Sequence, residues 1–552
     1  MKNFSKYKAF TPVELPSRTW VGNQLTKTPI WCSVDLRDGN QALEVPMTLS
    51  EKFEYFEFLL KLGFKTIEVG YPSASDTDYE FVRRIIEDGL VPEGVTIQVP
   101  TQCREDVIKP TFESLKDVRQ AIIHFYNPTS AIQREAVFKM SKEQVKQMAV
   151  DSALMVKRYA KEYGEDRFLF QYSPESFTGT ELDFAVEVCN AVIAAIEPTQ
   201  QRKLILNLPS TVEMSMPNVY ADQIEYVINR LNNRDCVLVS IHAHNDRGCA
   251  VAATEMALLA GADRVEGTLF GNGERTGNAD IVTLAMNLYS QGIDPELDFS
   301  DIDEVIKTYD RLIKLPVHPR HPYAGGLVYT AFSASHQDAI NKSMAYLTNK
   351  DVLWEVPYLP IDPRDVGRSY EQVIRITSQS GKGGVAYVLE TNFGLQVPKP
   401  MQLHFSKIVK KASDTGNKEL QPKEIYDLFI NEYVNLTEPL KLEGFTEKTF
   451  ANVSRVDSTV TYKGEEYQLS GEGDGLLDAF ANSLAEFLGI EGEIEDYKQH
   501  SLEFGNKARA ITYITIDGAN GKHFGAGISS SVSHSPLRAL VSAVNNILRK
   551  TQ

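Results

Sequence analysis

The sequence predicts an α/β protein that begins with a (β/α)8 TIM barrel and continues with helical linker subdomains and a C-terminal α+β domain. Three observations lead to this fold class. Short apolar runs rich in β-formers alternate with helical patterns from about residue 29 to 292, which is typical of a parallel sheet. Eight such runs within roughly 260 residues match the size of a closed barrel. The alternation stops after residue 293, and sequence patterns typical of strands return from about residue 440.

The predicted strands are near-continuous apolar runs, as expected for strands that are covered on both faces. They are residues 29–36, 65–72, 95–101, 120–126, 168–174, 203–209, 236–242 and 264–270. Helical patterns lie between them, for example at 48–63, 141–164 and 217–233. Thr48 or Ser50 suits a helix start and Gly63 a helix end. An open, doubly wound sheet is the alternative, but eight strands favour the barrel.

The region after the barrel shows two kinds of secondary-structure pattern. Residues 300–350 and 365–425 are mainly helical in pattern, with proline- and glycine-rich turns between them. From about 440 we expect a repeated strand–strand–helix arrangement, with helices at 475–489 and 535–549. The predicted domains are therefore a barrel with an N-terminal extension (1–300), helical linker subdomains (301–430) and an α+β domain (431–552).

Charge and cysteine content restrict the class of partner and compartment. The 552-residue chain has a formal net charge of −17, which disfavours nucleic acid and anionic membranes as partners. It shows no signal peptide and no apolar stretch of membrane-spanning length. Its five cysteines form no CxxC pair. We interpret them as buried free thiols in a reducing compartment, which predicts a cytoplasmic protein.

Polar residues gather where the predicted barrel strands end. In a barrel of this kind the carboxyl ends of all strands surround one mouth, where functional residues lie. The candidates, in strand order, are Arg37, Asp38, Gln41, Glu68, His124, Tyr126, Ser173, Glu175, Asn207, Thr211, His242, His244, Asp246, Asn272, Glu274 and Asn278.

The segment SIHAHNDRG suggests a metal site. His242 and His244 alternate at the end of a strand, so both side chains face the same side. Asp38 would add a carboxylate from the first strand, and Asn278 or Glu274 would complete the set. Imidazole and oxygen ligands suit Zn, Mn or Mg. The alternative is that the two histidines only form hydrogen bonds at the rim; the acid after strand one favours the metal.

Other candidates suit charge stabilisation and proton transfer. Arg37 stays charged and could hold a carboxylate or an oxyanion. Glu175 and Glu274 could act as acid–base groups, although Glu274 could equally orient a metal ligand or Arg37. His124 either contacts substrate or is a buried histidine with its hydrogen bonds satisfied.

Several motifs together resemble a known family. DLRDGNQA, HAHNDRGCAVA and GTLFGNGERTGNADIVTL resemble 2-isopropylmalate synthases, which belong with homocitrate and citramalate synthases to the Claisen-condensing branch of the metal-dependent aldolase-like barrels. LPVHPRHPYAGGLVYTAFSASHQDAINK, WEVPYLPIDPRDVGR and SQSGKGGVAYVLE resemble the long form of these enzymes, and SGEGDGLLDAF resembles the regulatory domain. The resemblance covers essentially the whole chain.

The resemblance implies condensation of acetyl-CoA with 2-oxoisovalerate, dependent on a divalent metal (Mg, Mn or Zn), with room for a monovalent cation such as K. The metal ligands would be Asp38, His242, His244 and Asn278. The resemblance places Arg37 and Thr211 against the 2-oxo acid, while His124, Tyr126 and Ser173 are substrate-contact candidates because of their positions at strand ends. The resemblance places Glu175 and His336 in the active site, with His336 coming from the helical subdomain of the second subunit of a homodimer, and Glu274 remains a catalytic candidate because of its position after strand eight.

The C-terminal domain is expected to carry regulation. The resemblance implies leucine binding at a dimer interface near Gly473, Asp474 and Gly475. GEGDG departs from the family's more frequent GEGNG, so Asp474 could alter the affinity for leucine or cap the helix. The resemblance also implies feedback inhibition by leucine.

Three other functions compete with this interpretation. Citramalate or homocitrate synthase differs mainly in the apolar pocket, which the sequence defines poorly. A retro-Claisen lyase or a biotin carboxyl transferase shares a similar barrel, but the second would need a lysine at a strand end, and none is found there. A non-enzymatic amino-acid sensor would have a degraded metal set, whereas every ligand type is present.

Overall fold

The computed structural model describes residues 6, 10, 12–330, 334–348, 350, 352–368, 382–416, 420, 422–450, 453–502, 509–518 and 521–551. The chain divides into two compact units. The first comprises Met1–Val328 and Asp365–Arg368, and the second comprises Tyr329–Arg364 and Ser369–Gln552. The boundaries expected from the sequence at 300 and 430 stay predictions.

The first unit contains a closed barrel of eight parallel strands, as predicted. Each strand pairs with the next along the chain, and β1 pairs with β8 to close the ring. The strands are β1 (Ile30–Ser33), β2 (Thr66–Glu68), β3 (Thr96–Gln102), β4 (Ala121–Pro128), β5 (Phe168–Glu175), β6 (Leu204–Ser210), β7 (Val237–Ala243) and β8 (Arg264–Gly267). The apolar runs of the sequence are therefore buried strands.

Helices separate the strands and belong to the same unit. They are α1 (Leu49–Lys61), α2 (Asp76–Glu87), α3 (Glu105–Ser114), α4 (Lys142–Tyr163), α5 (Leu182–Ile196), α6 (Pro217–Ile228), α7 (Ala250–Leu259), α8 (Ile281–Tyr289) and α9 (Ile302–Ile313). Thr48 and Ser141 begin α1 and α4 with reciprocal capping boxes, which satisfy backbone N–H groups that a helix start leaves free. Gly63 follows α1 with a positive φ of 103°, a backbone conformation that favours glycine.

The cysteine expectation is only partly correct. The five thiols are free, and Cys32, Cys103 and Cys189 are buried, but Cys236 and Cys249 are partly exposed. Cys236 ends a short helical turn before β7, and Cys249 is the residue before α7. Both positions lie at the ends of elements, where less of the side chain is covered.

The second unit combines helices with two three-stranded antiparallel sheets. Its helices are α10 (Ala334–Leu347), α11 (Lys382–Phe393), α12 (Lys399–Gly416), α13 (Pro422–Tyr433), α14 (Leu476–Leu488) and α15 (His534–Thr551). Its strands are β9 (Leu440–Phe450), β10 (Val453–Tyr462), β11 (Glu465–Gly473), β12 (Gly492–Ser501), β13 (Ala510–Gly518) and β14 (Gly521–Ser529). Residues 369–381 of the predicted helical stretch lie outside the described residues.

The repeat in this unit has three strands before each helix, so the predicted strand–strand–helix pattern was one strand short. The orders are β11-β10-β9 and β12-β13-β14. The first strand of each repeat escaped the sequence pattern because β9 and β12 are mostly exposed and polar. Only strands with a buried apolar face give a clear periodic signal.

Two apolar cores stabilise the second unit. One core packs α11, α12 and α13 against β13 and β14, through side chains such as Phe405, Phe429 and Tyr513. The other packs α14 and α15 against both sheets, through side chains such as Phe480 and Leu540. The linker helices and the last sheet therefore share buried surface. In the described part of the chain, no helix has both the length and the apolarity to cross a membrane.

Candidate active site

A cavity of about 280 Å³ opens at the carboxyl ends of the barrel strands. Its walls are Arg37, Asp38, Gln41, His124, Tyr126, Ser173, Glu175, Asn207, Pro209, Thr211, His242, His244, Glu274 and Arg275. The structure thus brings together ten of the residues named above as metal, substrate or acid–base candidates. Asn278, behind the wall, is hydrogen-bonded to one of them, and His336 belongs to the second unit.

A single π-helical turn after β1, Asp35–Gly39, positions the first two site residues. Buried Asp35 anchors this turn, since it accepts hydrogen bonds from Tyr55 Oη at 2.9 Å and from the backbone N–H of Leu269 at 3.1 Å. Turns of this kind are common at functional sites. Here the turn directs Arg37 and Asp38 toward the cavity.

Asp38, His242 and His244 form a buried group that fits a metal ion. One ligand atom from each lies within 4.8 Å of the others. The Nε2 atoms of His242 and His244 are 3.8 Å and 3.7 Å from Asp38 Oδ2. Asn278 donates from Nδ2 to Asp38 Oδ2 at 2.8 Å, while its buried Oδ1 has no hydrogen-bond partner among the described residues. A buried carbonyl oxygen without a donor is a ready metal ligand.

The electrostatics of this group keep one histidine neutral. Burial, and the neighbouring charge of His242, lower the pKa of His244 to about 4. Burial also disfavours the charged form of His242, but the carboxylates of Asp38 and Glu266 outweigh it and raise the pKa of His242 to about 9. Burial likewise opposes ionisation of Asp38, but Arg37 and the two histidines hold its pKa far below the usual range. A cation would meet an ionised carboxylate and the neutral imidazole of His244, and it would replace a proton on His242.

Arg37 is held rigidly at the cavity wall. Its Nε donates to Glu68, and its Nη1 donates to Asp38 Oδ1 at 2.9 Å. Burial works against its charge, but these two carboxylates keep its pKa above the usual value. A permanent positive charge therefore faces the mouth, where it can bind a carboxylate or stabilise an oxyanion.

His124 lies between an acid and a hydroxyl group. Its Nδ1 is 2.9 Å from Glu68 Oε2, and its Nε2 is 2.7 Å from Ser173 Oγ. Asn207 Nδ2 donates to Ser173 Oγ at 3.0 Å. Burial raises the pKa of Glu68, but Arg37 and His124 outweigh it and lower that pKa to about 2. The ring of Tyr126 lies 5.9 Å from that of His124.

The remaining predicted residues occupy distinct places around the mouth. Burial raises the pKa of Glu175, and the charge of Arg37 opposes that shift. Thr211 Oγ1 accepts from the backbone N–H of Ser176 at 2.9 Å. Glu274 accepts from Gln41 Nε2 at 3.1 Å at the exposed rim, so its hydrogen bond goes to neither Arg37 nor a metal ligand.

Sequence reasoning missed the residues that support the site from below. Glu266 and Arg264 point into the barrel from β8, where Arg264 Nη1 donates to Glu266 Oε1 at 2.7 Å. Gln98 Nε2 donates to Glu68 at 2.6 Å and to Glu266 at 3.0 Å. Arg275, also missed, pairs with Asp246 at the rim. The run RVEG held a signal, because opposite charges two residues apart in a buried strand must share one face.

His336 and the turn Gly473–Gly475 belong to the second unit. His336 lies on α10, where its ring stacks on Tyr358 with centroids 4.0 Å apart. Gly475 is the residue that caps α14, and the exposed side chain of Asp474 makes no capping bond there. A Cβ atom at Gly473 would come within 2.4 Å of Asp478 Oδ2, so the close approach of β11 to α14 requires glycine. The roles of His336 and of this glycine-rich turn stay predictions.

Family models match three consecutive parts of the chain. The HMGL-like family matches residues 28–308, the alpha-isopropylmalate synthase post-catalytic domain-like family matches 326–390, and the LeuA allosteric (dimerisation) domain matches 419–548.

Full-length relatives are similar to the whole chain. A 2-isopropylmalate synthase of Acetoanaerobium sticklandii is 53% identical over 100% of this chain and 98% of its own length. Those of Clostridium acetobutylicum and Rhizobium johnstonii are 50% and 52% identical, each over 98% of this chain and at least 98% of their own lengths. The resemblance seen in the motifs is confirmed, and the chain belongs to the 2-isopropylmalate synthase family.

Proposed function

We propose that this chain condenses acetyl-CoA with 2-oxoisovalerate to give 2-isopropylmalate and free CoA. The observation that carries the proposal is the buried group of Asp38, His242 and His244, with the unpartnered Oδ1 of Asn278 beside it, at the mouth of the barrel. The names of the full-length relatives support the same reaction.

The four residues Asp38, His242, His244 and Asn278 would hold a divalent cation. Their two imidazole nitrogens and two oxygens suit Zn, Mn or Mg. A cation bound there would supply Lewis-acid polarisation of the keto group. All four residues are buried, which strengthens electrostatic interactions within the site.

Arg37 is proposed to bind the 2-oxo acid and to stabilise negative charge during bond formation. Its two hydrogen bonds to Glu68 and Asp38 fix the guanidinium before substrate arrives, so little reorganisation is needed. His124, Ser173 and Thr211 are proposed to complete the polar wall around the substrate.

The reaction requires movement of protons as well as stabilisation of charge. The methyl group of acetyl-CoA must lose a proton to a base, its carbon must bond to the keto carbon, and the keto oxygen must gain a proton. Water then attacks the thioester, and CoA leaves as the thiol. Glu175 suits proton transfer because it lines the cavity and burial raises its pKa above the usual value. His336 is the second candidate for the base, acting in a homodimer.

Regulation is proposed to reside in the C-terminal domain. The match of residues 419–548 to the LeuA allosteric (dimerisation) domain supports leucine as the effector and a homodimer as the assembly. The turn Gly473–Gly475 is proposed as part of the effector site.

The experiment that tests the proposed function is a thiol-release assay on the purified full-length chain. Pyruvate, 2-oxoisovalerate and 2-oxoglutarate are compared with acetyl-CoA as co-substrate, with and without a chelator. We expect turnover with 2-oxoisovalerate that the chelator abolishes. Preference for pyruvate or 2-oxoglutarate would instead indicate a citramalate or homocitrate synthase, and chelator-resistant turnover would contradict the metal centre.

A further inference from the structure

Glu266 contacts His242, one of the proposed metal ligands. β7 and β8 are parallel, with His242 opposite Glu266 in the register. His242 Nδ1 lies 2.9 Å from Oε2 of Glu266, which is fully buried. An ionised carboxylate only accepts hydrogen bonds, so Nδ1 carries a proton and Nε2 is the nitrogen that can give a lone pair to a cation. This Nε2 is the atom that faces Asp38 at 3.8 Å.

The second oxygen of Glu266 is fixed by three donors. Oε1 accepts from Arg264 at 2.7 Å, from Gln171 at 2.7 Å and from Gln98 at 3.0 Å. Arg264 is 1% exposed, so the ion pair that it forms with Glu266 lies wholly inside the barrel. Burying two charges is costly, and such a pair is weak support for stability alone. A pair of this kind directly beneath a candidate active site suggests a functional reason for its presence.

Gln98 joins this pair to the other side of the site. The same Nε2 that donates to Glu266 also donates to Glu68, which holds Arg37, which in turn donates to Asp38. The contacts therefore run in a chain from His242 to Asp38, which are both proposed metal ligands. This chain of contacts and Arg264 contain two guanidinium groups and three carboxylates, so the cluster carries one net negative charge once a cation replaces the Nε2 proton of His242.

We propose that Glu266 is a positioning residue of the metal site, whose carboxylate holds His242 in the tautomer and orientation that direct Nε2 at the cation. The inference deepens the proposed function, since it rests on the metal site assigned there. Glu266 acts through His242 and contacts neither the cation nor the substrate. Partners of this kind commonly change metal affinity by about 10–100-fold when they are replaced.

The test measures binding of Mn²⁺ to the metal-free full-length chain, by the electron paramagnetic resonance signal of the unbound ion. Glu266→Gln keeps the volume and one acceptor but removes the charge, and we expect its Mn²⁺ affinity to fall by about 10–100-fold. Asp222→Asn is the matched control. Asp222 lies on α6 and is a buried carboxylate that accepts hydrogen bonds from Arg18 and Trp20. Its replacement therefore tests the effect of lost stability without changing the metal site.

The outcomes separate this inference from the function on which it rests. Normal Mn²⁺ affinity in folded Glu266→Gln would overturn the role of Glu266 and leave the proposed function standing. Failure of the unsubstituted chain to bind Mn²⁺, Zn²⁺ or Mg²⁺ would overturn the metal centre itself. An equal loss in Asp222→Asn would overturn the inference by assigning the effect to stability. If Glu266→Gln does not fold, Glu266→Asp is measured instead. The shorter side chain keeps a carboxylate beside Arg264 but withdraws it from His242 Nδ1, and we expect the same fall in Mn²⁺ affinity.

Discussion

Asn278 and Asp38 stand 240 positions apart in the chain, yet Asn278 Nδ2 donates to Asp38 Oδ2 at 2.8 Å. The bond ties the loop after β8 to the turn after β1, where the barrel closes. With the amide in this orientation, Oδ1 of Asn278 is buried and has no hydrogen-bond donor beside it among the described residues. The amide thus orients one proposed ligand and offers another.

Asn278→Ala is expected to weaken metal activation. The change removes a proposed ligand oxygen and the donor that orients Asp38, so the metal concentration for half-maximal thiol release should rise by at least about 10-fold. Asn287→Ala, in α8, is the control, because Asn287 bonds to Glu255 and Tyr323 away from the site. An unchanged activation curve in Asn278→Ala would remove Asn278 from the ligand set.

His244→Ala is expected to abolish release of CoA from acetyl-CoA and 2-oxoisovalerate while the fold is kept. The pKa of His244 is lowered to about 4, so it is a neutral imidazole at pH 7 and ready to bind a cation. Treatment with a chelator should reproduce the loss in the unsubstituted chain, and added divalent metal should restore turnover there but not in the variant. The exposed His318 provides the control substitution His318→Ala. Near-normal turnover in His244→Ala would reject its role.

Glu175→Gln is expected to lower turnover and to raise stability at neutral pH. The pKa of Glu175 is raised by burial, so the folded state holds the proton more tightly than the unfolded state. The free energy of unfolding therefore falls as pH rises from the pKa of Glu175 in the unfolded state to its pKa in the folded state. Glutamine does not ionise, so the variant does not lose this stability. Thermal unfolding of the metal-free protein should show a gain for the variant at pH 7 that disappears at pH 4.

Glu181→Gln should show the opposite dependence and serves as the control for Glu175. The hydrogen bond from Arg134 lowers the pKa of Glu181 to about 2, so its contribution to stability is present above the pKa of the unfolded state and is lost as pH falls. The variant should be less stable at pH 7 and equal to the unsubstituted chain at low pH. Parallel shifts in both variants would contradict the environment assigned to Glu175.

Asp35→Ala is expected to destabilise the first unit by about 2–4 kcal/mol, since it leaves buried donors unsatisfied. The donors are Ser33 Oγ, Tyr55 Oη and the backbone N–H of Leu269. Urea unfolding measures the change, and Asp35→Asn, which keeps an acceptor oxygen, should cost less. Equal losses in the two variants would show that the hydrogen bonds are not the cause.

Asp474→Asn is expected to strengthen leucine inhibition by about 2–5-fold without changing turnover in the absence of leucine. An exposed carboxylate beside the start of α14 opposes binding of another carboxylate at that helix end. The inhibitory concentration of leucine, measured by thiol release, tests this. Weaker inhibition in the variant would contradict the assigned direction.

The fold followed from the sequence where the signal was local and strong. The eight buried strands were near-continuous apolar runs, and His242 and His244 shared a face because of the period of a strand. Glu266 was beyond this reasoning, since its importance depends on the register of β8 with β7. Whether Asn278 or Glu274 faces Asp38 depends on the path of the loop after β8. Gly271 and Gly273 bend that loop with positive φ values of 76° and 156°.

The core shared by α11–α13 and β13–β14 has a consequence for synthesis of the chain. The ribosome completes Tyr433, the end of α13, before it reaches Ala510, the start of β13. At ordinary rates of translation, the apolar faces of these helices therefore stay uncovered for roughly 5–20 seconds until β13 and β14 are made. We expect nascent chains that end between these points to be the form most dependent on chaperones. Chains truncated at Gly489 should aggregate more readily than the full-length protein.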